Sequence, residues 1–81
     1  MAKGGHFVES NGYMWDYMPE TSLVGYFNDV VYKTDKEAYT VCAASTDCKG
    51  VTMEANGRYR LNSSFRRVNR HGMKSYIQGS K

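Results

Sequence analysis

The sequence predicts a small α+β domain in which one α-helix packs on a twisted antiparallel β-sheet. A capped helical pattern occupies the middle of the chain, and short segments with alternating apolar and polar residues lie on both sides of it. Turn residues separate these segments. The chain has 81 residues, of which 41% are apolar, so we expect residues 1–81 to form a single folded module.

The segments before the helix are predicted to be strands. A turn at Ser10-Asn11-Gly12 separates the first two strands, and Pro19 is expected to end the second. The predicted strands cover residues 4–10, 13–17, 23–26 and 30–32. No apolar signal-peptide core follows Met1, and we expect residues 1–4 to be disordered or to have been added for expression.

The helix is predicted from residue 35 to residue 45. Thr34 and Glu37 form a T-x-x-E capping box, in which each side chain satisfies a free backbone amide of the first turn. The spacing i, i+3, i+4, i+7 then places four residues on one helix face, Ala38, Val41, Cys42 and Ser45.

A hairpin is predicted after the helix, with strands at 49–55 and 58–62. Between them stands Asn56-Gly57, which favours a type I′ turn because both central residues of that turn need positive φ. The residues expected on the core face are Val51, Met53, Tyr59 and Leu61. The last predicted strands cover 65–69 and 74–78, with a turn at Arg70-His71-Gly72 between them.

Together these features resemble the core of a PAN/apple domain over about residues 20–79. The order helix, cysteine, short loop, cysteine, strand, hairpin and strand is that of the family. Cys48-Lys49-Gly50-Val51-Thr52 is similar to its C-x-[GA]-[FV]-x strand, and GMKSYI at 72–77 is similar to its closing strand. The resemblance implies a disulfide bond between Cys42 and Cys48 and a role in binding proteins, sugars or polyanions.

The chain departs from the family in its other cysteines. Members usually have a second bridge, whose positions here fall at about Ala38 and Arg60, and apple domains add an outer bridge. The resemblance therefore implies a reduced, single-disulfide member. A disulfide predicts a secreted or extracellular location, whereas the alternative is a pair of buried reduced thiols.

Charge is strongly segregated along the chain. Residues 1–54 carry four lysines and eight acidic residues, a net charge of −4. Residues 55–81 carry five arginines, two lysines and no acidic residue, a net charge of +7. Arginine pairs bidentately with sulfate, phosphate and carboxylate, so this half favours an anionic ligand. The alternative is a solvated basic face that balances the acidic half within the fold.

We predict a non-catalytic, lectin-like module that binds a glycan, in particular an acidic or sulfated polysaccharide. Arg58 and Arg60 stand two apart on a predicted strand, so both should point away from the core. The residues expected to extend this face are Arg66, Arg67, Arg70 and Lys74.

A protein–protein adhesion module is the alternative, with an aromatic strand face as its hot spot and the arginines as its rim. That face consists of Tyr13, Trp15 and Tyr17. The opposite interpretation, that this face belongs to the core, remains open. Nucleic acid, bound by stacking and phosphate contacts, is a third class that the acidic first half and the expected disulfide disfavour.

The sequence contains no signature of catalysis or of a cofactor. His6 and His71 belong to no pattern that would make them general bases, and Cys-x5-Cys is not a zinc spacing. We therefore expect no enzyme activity, metal or cofactor. No apolar stretch is long enough to span a membrane. Asn62-Ser63-Ser64 is an N-x-S glycosylation sequon.

Overall fold

Five antiparallel strands and one helix form the part of the chain that the computed structural model describes, residues 6–79. In chain order they are β1 (His6–Ser10), β2 (Tyr13–Leu23), α1 (Asp35–Ala43), β3 (Gly50–Met53), β4 (Tyr59–Asn62) and β5 (Arg67–Gln78). The order in the sheet is β1-β2-β5-β3-β4. The α+β class is confirmed, and the expectation for residues 1–4 lies outside the described residues.

The predicted N-cap at Thr34 is confirmed, but the return bond of the capping box is not formed, because the Glu37 carboxylate accepts from the Thr34 hydroxyl at 3.2 Å and not from a backbone N–H. Thr34 has an extended backbone, and its side-chain oxygen accepts a hydrogen bond of 3.2 Å from the backbone N–H of Glu37. The helix ends at Ala43, two residues earlier than predicted. A disulfide joins Cys42, on the buried side of α1, to Cys48 just before β3, with 5.2 Å between the two Cα atoms. The bridge therefore ties the helix to the sheet.

One face of the sheet packs against α1 and forms the core. Val51 and Leu61 are completely buried there, and each contributes about 2 kcal/mol to stability by its burial. Trp15 is also completely buried, with its ring centroid 4.8 Å from that of Tyr39 on the helix. Its indole N–H donates a hydrogen bond of 3.0 Å to the carbonyl oxygen of Ser10.

The turn between β1 and β2 is a type I′ turn. Asn11 and Gly12 have φ angles of 55° and 81°, and the flanking residues Ser10 and Tyr13 are paired. The sequence predicts a turn here but not its type.

The prediction of a type I′ turn at Asn56-Gly57 is wrong, because Asn56 does not have a positive φ. The N–H of Gly57, which has a φ of 84°, donates a hydrogen bond of 2.8 Å to the carbonyl oxygen of Glu54. Glu54 in turn donates its N–H to the carbonyl oxygen of Arg58 at 2.7 Å. This is a three-residue loop, a type I turn followed by a glycine bulge.

The last two predicted strands are one continuous strand, β5, and the turn predicted between them is a bulge. Glu20 of β2 lies opposite the four residues 70–73, because Pro19 pairs with Lys74 and Thr21 pairs with Asn69. The bulge also shows that Pro19 does not end β2, which continues to Leu23.

The segment 24–32 runs along the outer edge of β4. It forms two isolated β-bridges, Tyr26 with Asn62 and Tyr32 with Tyr59, instead of the short strands predicted at 23–26 and 30–32. The N–H of Phe27 also donates to the carbonyl oxygen of Leu61 at 2.9 Å. This segment therefore covers an edge that would otherwise expose unpaired backbone groups.

A buried polar network closes the sheet face that is turned away from α1. Thr52, Asn62 and Ser75 are buried there. The Thr52 hydroxyl donates to Asn62 Oδ1 at 2.8 Å, and the Ser75 hydroxyl donates to the carbonyl oxygen of Thr21 at 2.8 Å. Because buried polar groups are costly when unpaired, this network fixes the end of β2 against β3 and β4.

Candidate functional site

Arg58 and Arg60 are placed on the sheet face that is turned away from α1. Arg60 pairs with Thr52, which belongs to the polar network of that face. Arg58 is exposed at the base of the turn, and strand alternation directs it to the same side. The two predicted site residues are thus neighbours on one surface.

Arg60 lies over an aromatic ring that the sequence analysis did not assign to the site. Its Cζ atom is 3.8 Å from the ring centroid of Tyr26, which is a cation–π contact. The Tyr26 side chain remains 55% exposed, and its hydroxyl donates a hydrogen bond of 3.4 Å to Glu54 Oε2. The Nε atom of Arg60 is buried and has no hydrogen-bond partner among the described residues.

The other predicted cations are exposed but do not all join this surface. Arg66 lies just before β5, Arg67 lies at its start, and Arg70 lies in its bulge. Lys74 pairs with Met53, one position away from the Thr52–Ser75 pair. Successive residues of a strand point to opposite faces, so Lys74 is directed to the helix side, away from Arg60. Its assignment to the arginine-rich face is corrected accordingly.

Direct neutralisation by carboxylates does not account for the arginines. Within residues 6–79 none of the five arginines forms an ion pair with a carboxylate. The Glu20 carboxylate instead contacts a histidine, with 2.7 Å between His71 Nδ1 and Glu20 Oε1 in the bulge of β5. The guanidinium group of Arg58 and the terminal Nη atoms of Arg60 thus keep hydrogen-bonding capacity for another anion, whereas the buried Nε of Arg60 does not.

The aromatic face of β2 packs against the helix. Trp15 is completely buried and has no surface to offer to a ligand, so its assignment as a binding residue is corrected. Tyr13 and Tyr17 are half-buried, with ring centroids 6.3 Å from Trp15 and 5.3 Å from Tyr76, respectively. Of the two interpretations left open by the sequence, the structure supports the core.

Tyr39, Tyr59 and Tyr76 are neutral near pH 7. Burial raises the pKa of the Tyr39 hydroxyl well above its ordinary value of 10.0, and the neighbouring Tyr76 raises it further. Burial also raises the pKa values of Tyr59 and Tyr76. These groups are therefore part of the packing and not titrating elements of a site.

The N-x-S sequon does not offer a free amide in the folded domain. Asn62 is completely buried, and its Nδ2 atom donates hydrogen bonds to the carbonyl oxygens of Leu23 and Gly25 at 3.1 and 3.0 Å. A glycan would have to be attached at this nitrogen, so the sequon is not a surface feature of the fold.

A separate surface groove of about 380 Å³ lies along the first half of α1. Its lining includes Lys36 and Glu37, which carry opposite charges, together with Tyr32 and Val41. This mixed lining has no net preference for an anion. Within residues 6–79 there is no group of three or more acidic, histidine or cysteine side chains that could hold a metal ion.

Comparison with known proteins adds no functional assignment: no protein-family model matches the chain, and no curated protein matches it significantly. Over residues 6–79, no helix combines the length and the apolar character needed to cross a membrane.

Proposed function

We propose that this chain is a non-catalytic, extracellular binding module, a reduced PAN/apple-like domain that recognises an acidic or sulfated glycan through Arg58 and Arg60. One observation carries the proposal. Two guanidinium groups lie on the same sheet face, and neither is paired with a carboxylate of the described residues. Guanidinium groups in this state form strong bidentate hydrogen bonds with sulfate or carboxylate.

The architecture supports the PAN/apple-like assignment. A single helix is tied by one disulfide to the start of a strand in a five-stranded antiparallel sheet. The second bridge of the family would leave the helix near Ala38, which faces the core. Arg60, the other position of that bridge, points to the opposite face, and this is a departure from the family pattern.

The disulfide is consistent with an oxidising compartment and therefore with secretion. A catalytic role has no support in the described residues, since both cysteines are bonded to each other and His71 contacts Glu20 in the bulge of β5. Protein binding through the face of Tyr13, Trp15 and Tyr17 is disfavoured, because Trp15 at its centre is completely buried against Tyr39 of α1.

The test is the double substitution of Arg58 and Arg60 by serine. We expect it to weaken binding to an acidic or sulfated oligosaccharide at least about tenfold, or 1.4 kcal/mol, while Trp15 fluorescence shows an intact fold. The control, Lys33→Ser with Lys36→Ser, removes the same charge from exposed residues elsewhere and should change affinity by less than about threefold.

The proposal fails if the two double variants weaken binding equally, because net charge would then explain the affinity. Raising the salt concentration from about 50 to 300 mM should weaken binding by the wild-type protein. Salt also weakens nucleic-acid binding, so a competition with single-stranded DNA is needed. Displacement of the glycan by DNA at lower concentration would favour nucleic acid as the ligand.

A further inference from the structure

We propose that Tyr26 is the stacking platform of this site and that, with Arg60 and Glu54, it selects a hexuronic acid, a pyranose with one carboxylate, over densely sulfated sugars. This inference rests on the proposed glycan-binding function and names the ligand class. The inference is based on the contacts that hold the three side chains together on one surface.

Three contacts, one from the backbone and two from the side chain, hold Tyr26 in place. Its backbone forms a β-bridge with Asn62, its hydroxyl donates to Glu54, and the guanidinium group of Arg60 lies over the ring. The side chain is nevertheless 55% exposed. Arg60 covers one side of the ring, yet more than half of the residue stays exposed, so Tyr26 keeps surface on which a ligand can pack. A ring that is fixed before binding loses little conformational entropy when a ligand stacks on it.

Such a ring suits a sugar because the C–H face of a pyranose is apolar and packs flat on an aromatic side chain. The polar groups needed for its substituents are adjacent. Glu54 is the cross-strand neighbour of Arg58, to whose carbonyl oxygen it donates its backbone N–H at 2.7 Å. The surface therefore presents one carboxylate, which accepts from sugar hydroxyl groups, beside two guanidinium groups, which donate to a sugar carboxylate.

The charge balance of this cluster predicts its specificity. Arg58 and Arg60 carry two positive charges and Glu54 one negative charge, so the cluster has a net charge of +1. A single carboxylate can pair with the arginines while hydroxyl groups meet Glu54. A sugar with several sulfates would bring negative charge close to the Glu54 carboxylate, which is repulsive and selects against it.

The test measures the affinity of the whole chain for three probes by calorimetry. They are a glucuronic acid tetrasaccharide, its carboxyl-reduced neutral counterpart, and a heparin-type tetrasaccharide. We expect the wild-type protein to bind the first most tightly. Tyr26→Ala should weaken that binding at least about tenfold, whereas Tyr26→Phe, which keeps the ring, should stay within about threefold.

Two further variants sharpen the result. Phe65→Ala removes another aromatic side chain that is about half exposed, 52%, and should leave the affinity unchanged. Glu54→Gln removes the negative charge and should improve binding of the heparin-type probe by at least about threefold.

Each failure has a distinct meaning. If binding depends on Arg58 and Arg60 but Tyr26→Ala binds like the wild-type protein, the platform is overturned while the proposed function stands. Equal weakening by Tyr26→Ala and Tyr26→Phe overturns stacking in favour of the hydroxyl group. Preference of the wild-type protein for the heparin-type probe overturns the specificity. Absence of binding to any acidic probe overturns both this inference and the proposed function.

Discussion

Asn62→Asp is the sharpest perturbation of the buried polar network. The amide nitrogen of Asn62 donates to the carbonyl oxygens of Leu23 and Gly25, and its Oδ1 atom accepts from the Thr52 hydroxyl. Aspartate has nearly the same shape, but its carboxylate cannot donate. Both carbonyl oxygens would therefore lose this donor and face a buried negative charge, although that of Gly25 keeps the N–H of Ser63 at 3.2 Å.

The expected loss of stability follows from the hydrogen bonds that the substitution removes and from the charge that it buries. The two lost hydrogen bonds contribute about 1 kcal/mol each, and a negative charge buried against two carbonyl oxygens adds about 1–3 kcal/mol more. We expect Asn62→Asp to lower the free energy of unfolding by about 3–5 kcal/mol, out of a total of about 5–10 kcal/mol for a domain of this size. Protonation of the new carboxylate restores one donor and removes the charge, so the loss should be smaller at about pH 4 than at pH 7.

Urea denaturation, followed by the fluorescence of the single tryptophan Trp15, measures this loss. The control is Asn69→Asp, which introduces the same charge at an exposed position of β5 and should cost less than about 0.5 kcal/mol. The reasoning is refuted if the two variants unfold at the same urea concentration at pH 7, since the amide of Asn62 would then be dispensable.

Two predictions concern the helix side of the sheet. Replacing Cys42 and Cys48 by alanine should lower the free energy of unfolding by about 2 kcal/mol, because the bridge closes a short loop in the unfolded chain; an unchanged urea midpoint would contradict this. Burial raises the pKa of Tyr39 above its ordinary value of 10.0, so the unfolded state loses this proton first. The Tyr39 contribution to stability should therefore be constant below about pH 10 and fall above it by up to about 1.4 kcal/mol per pH unit. In urea denaturation at alkaline pH, Tyr39→Phe should lose less stability per pH unit than the wild-type protein. If the loss per pH unit is unaltered, groups other than Tyr39 cause it.

The parts of the fold that the sequence predicts correctly depend on short-range signals. The N-cap hydrogen bond between Thr34 and Glu37 spans four residues, and the faces of the hairpin after Cys48 follow from simple alternation. The bridge between Cys42 and Cys48 joins residues only six positions apart. Each of these features is decided by neighbours in the chain.

The error at the β3–β4 turn shows why a dipeptide does not fix a loop. Asn11-Gly12 and Asn56-Gly57 are the same dipeptide, yet only the first forms a type I′ turn. Strand register decides the difference, because Ser10 pairs with Tyr13 across two residues, whereas Glu54 bonds to Arg58 across three. The register depends on how each strand packs, which the dipeptide does not encode.

The sequence predicts Arg58 and Arg60 but not the platform beside them. Tyr26 reaches Arg60 and Glu54 across 34 and 28 positions, respectively. The polar network likewise joins Thr52 to Asn62 and Asn62 to Gly25. The only local signal for Asn62 was a glycosylation sequon, which pointed to the surface. Contacts at this separation depend on the course of the segment 24–32, and no periodic pattern marks it.

That segment links the stability of the fold to the geometry of the candidate site. The Asn62 side chain holds Gly25, and the next residue, Tyr26, forms a backbone bridge with Asn62 itself. Loss of the Asn62 amide should therefore release the Tyr26 ring as well as destabilise the sheet. Asn62→Asp should lose glycan affinity even at temperatures where it remains folded, whereas the Arg58 and Arg60 double variant should lose affinity at nearly unchanged stability. If the Asn62 variant binds normally while folded, the ring is positioned by Arg60 and Glu54 alone.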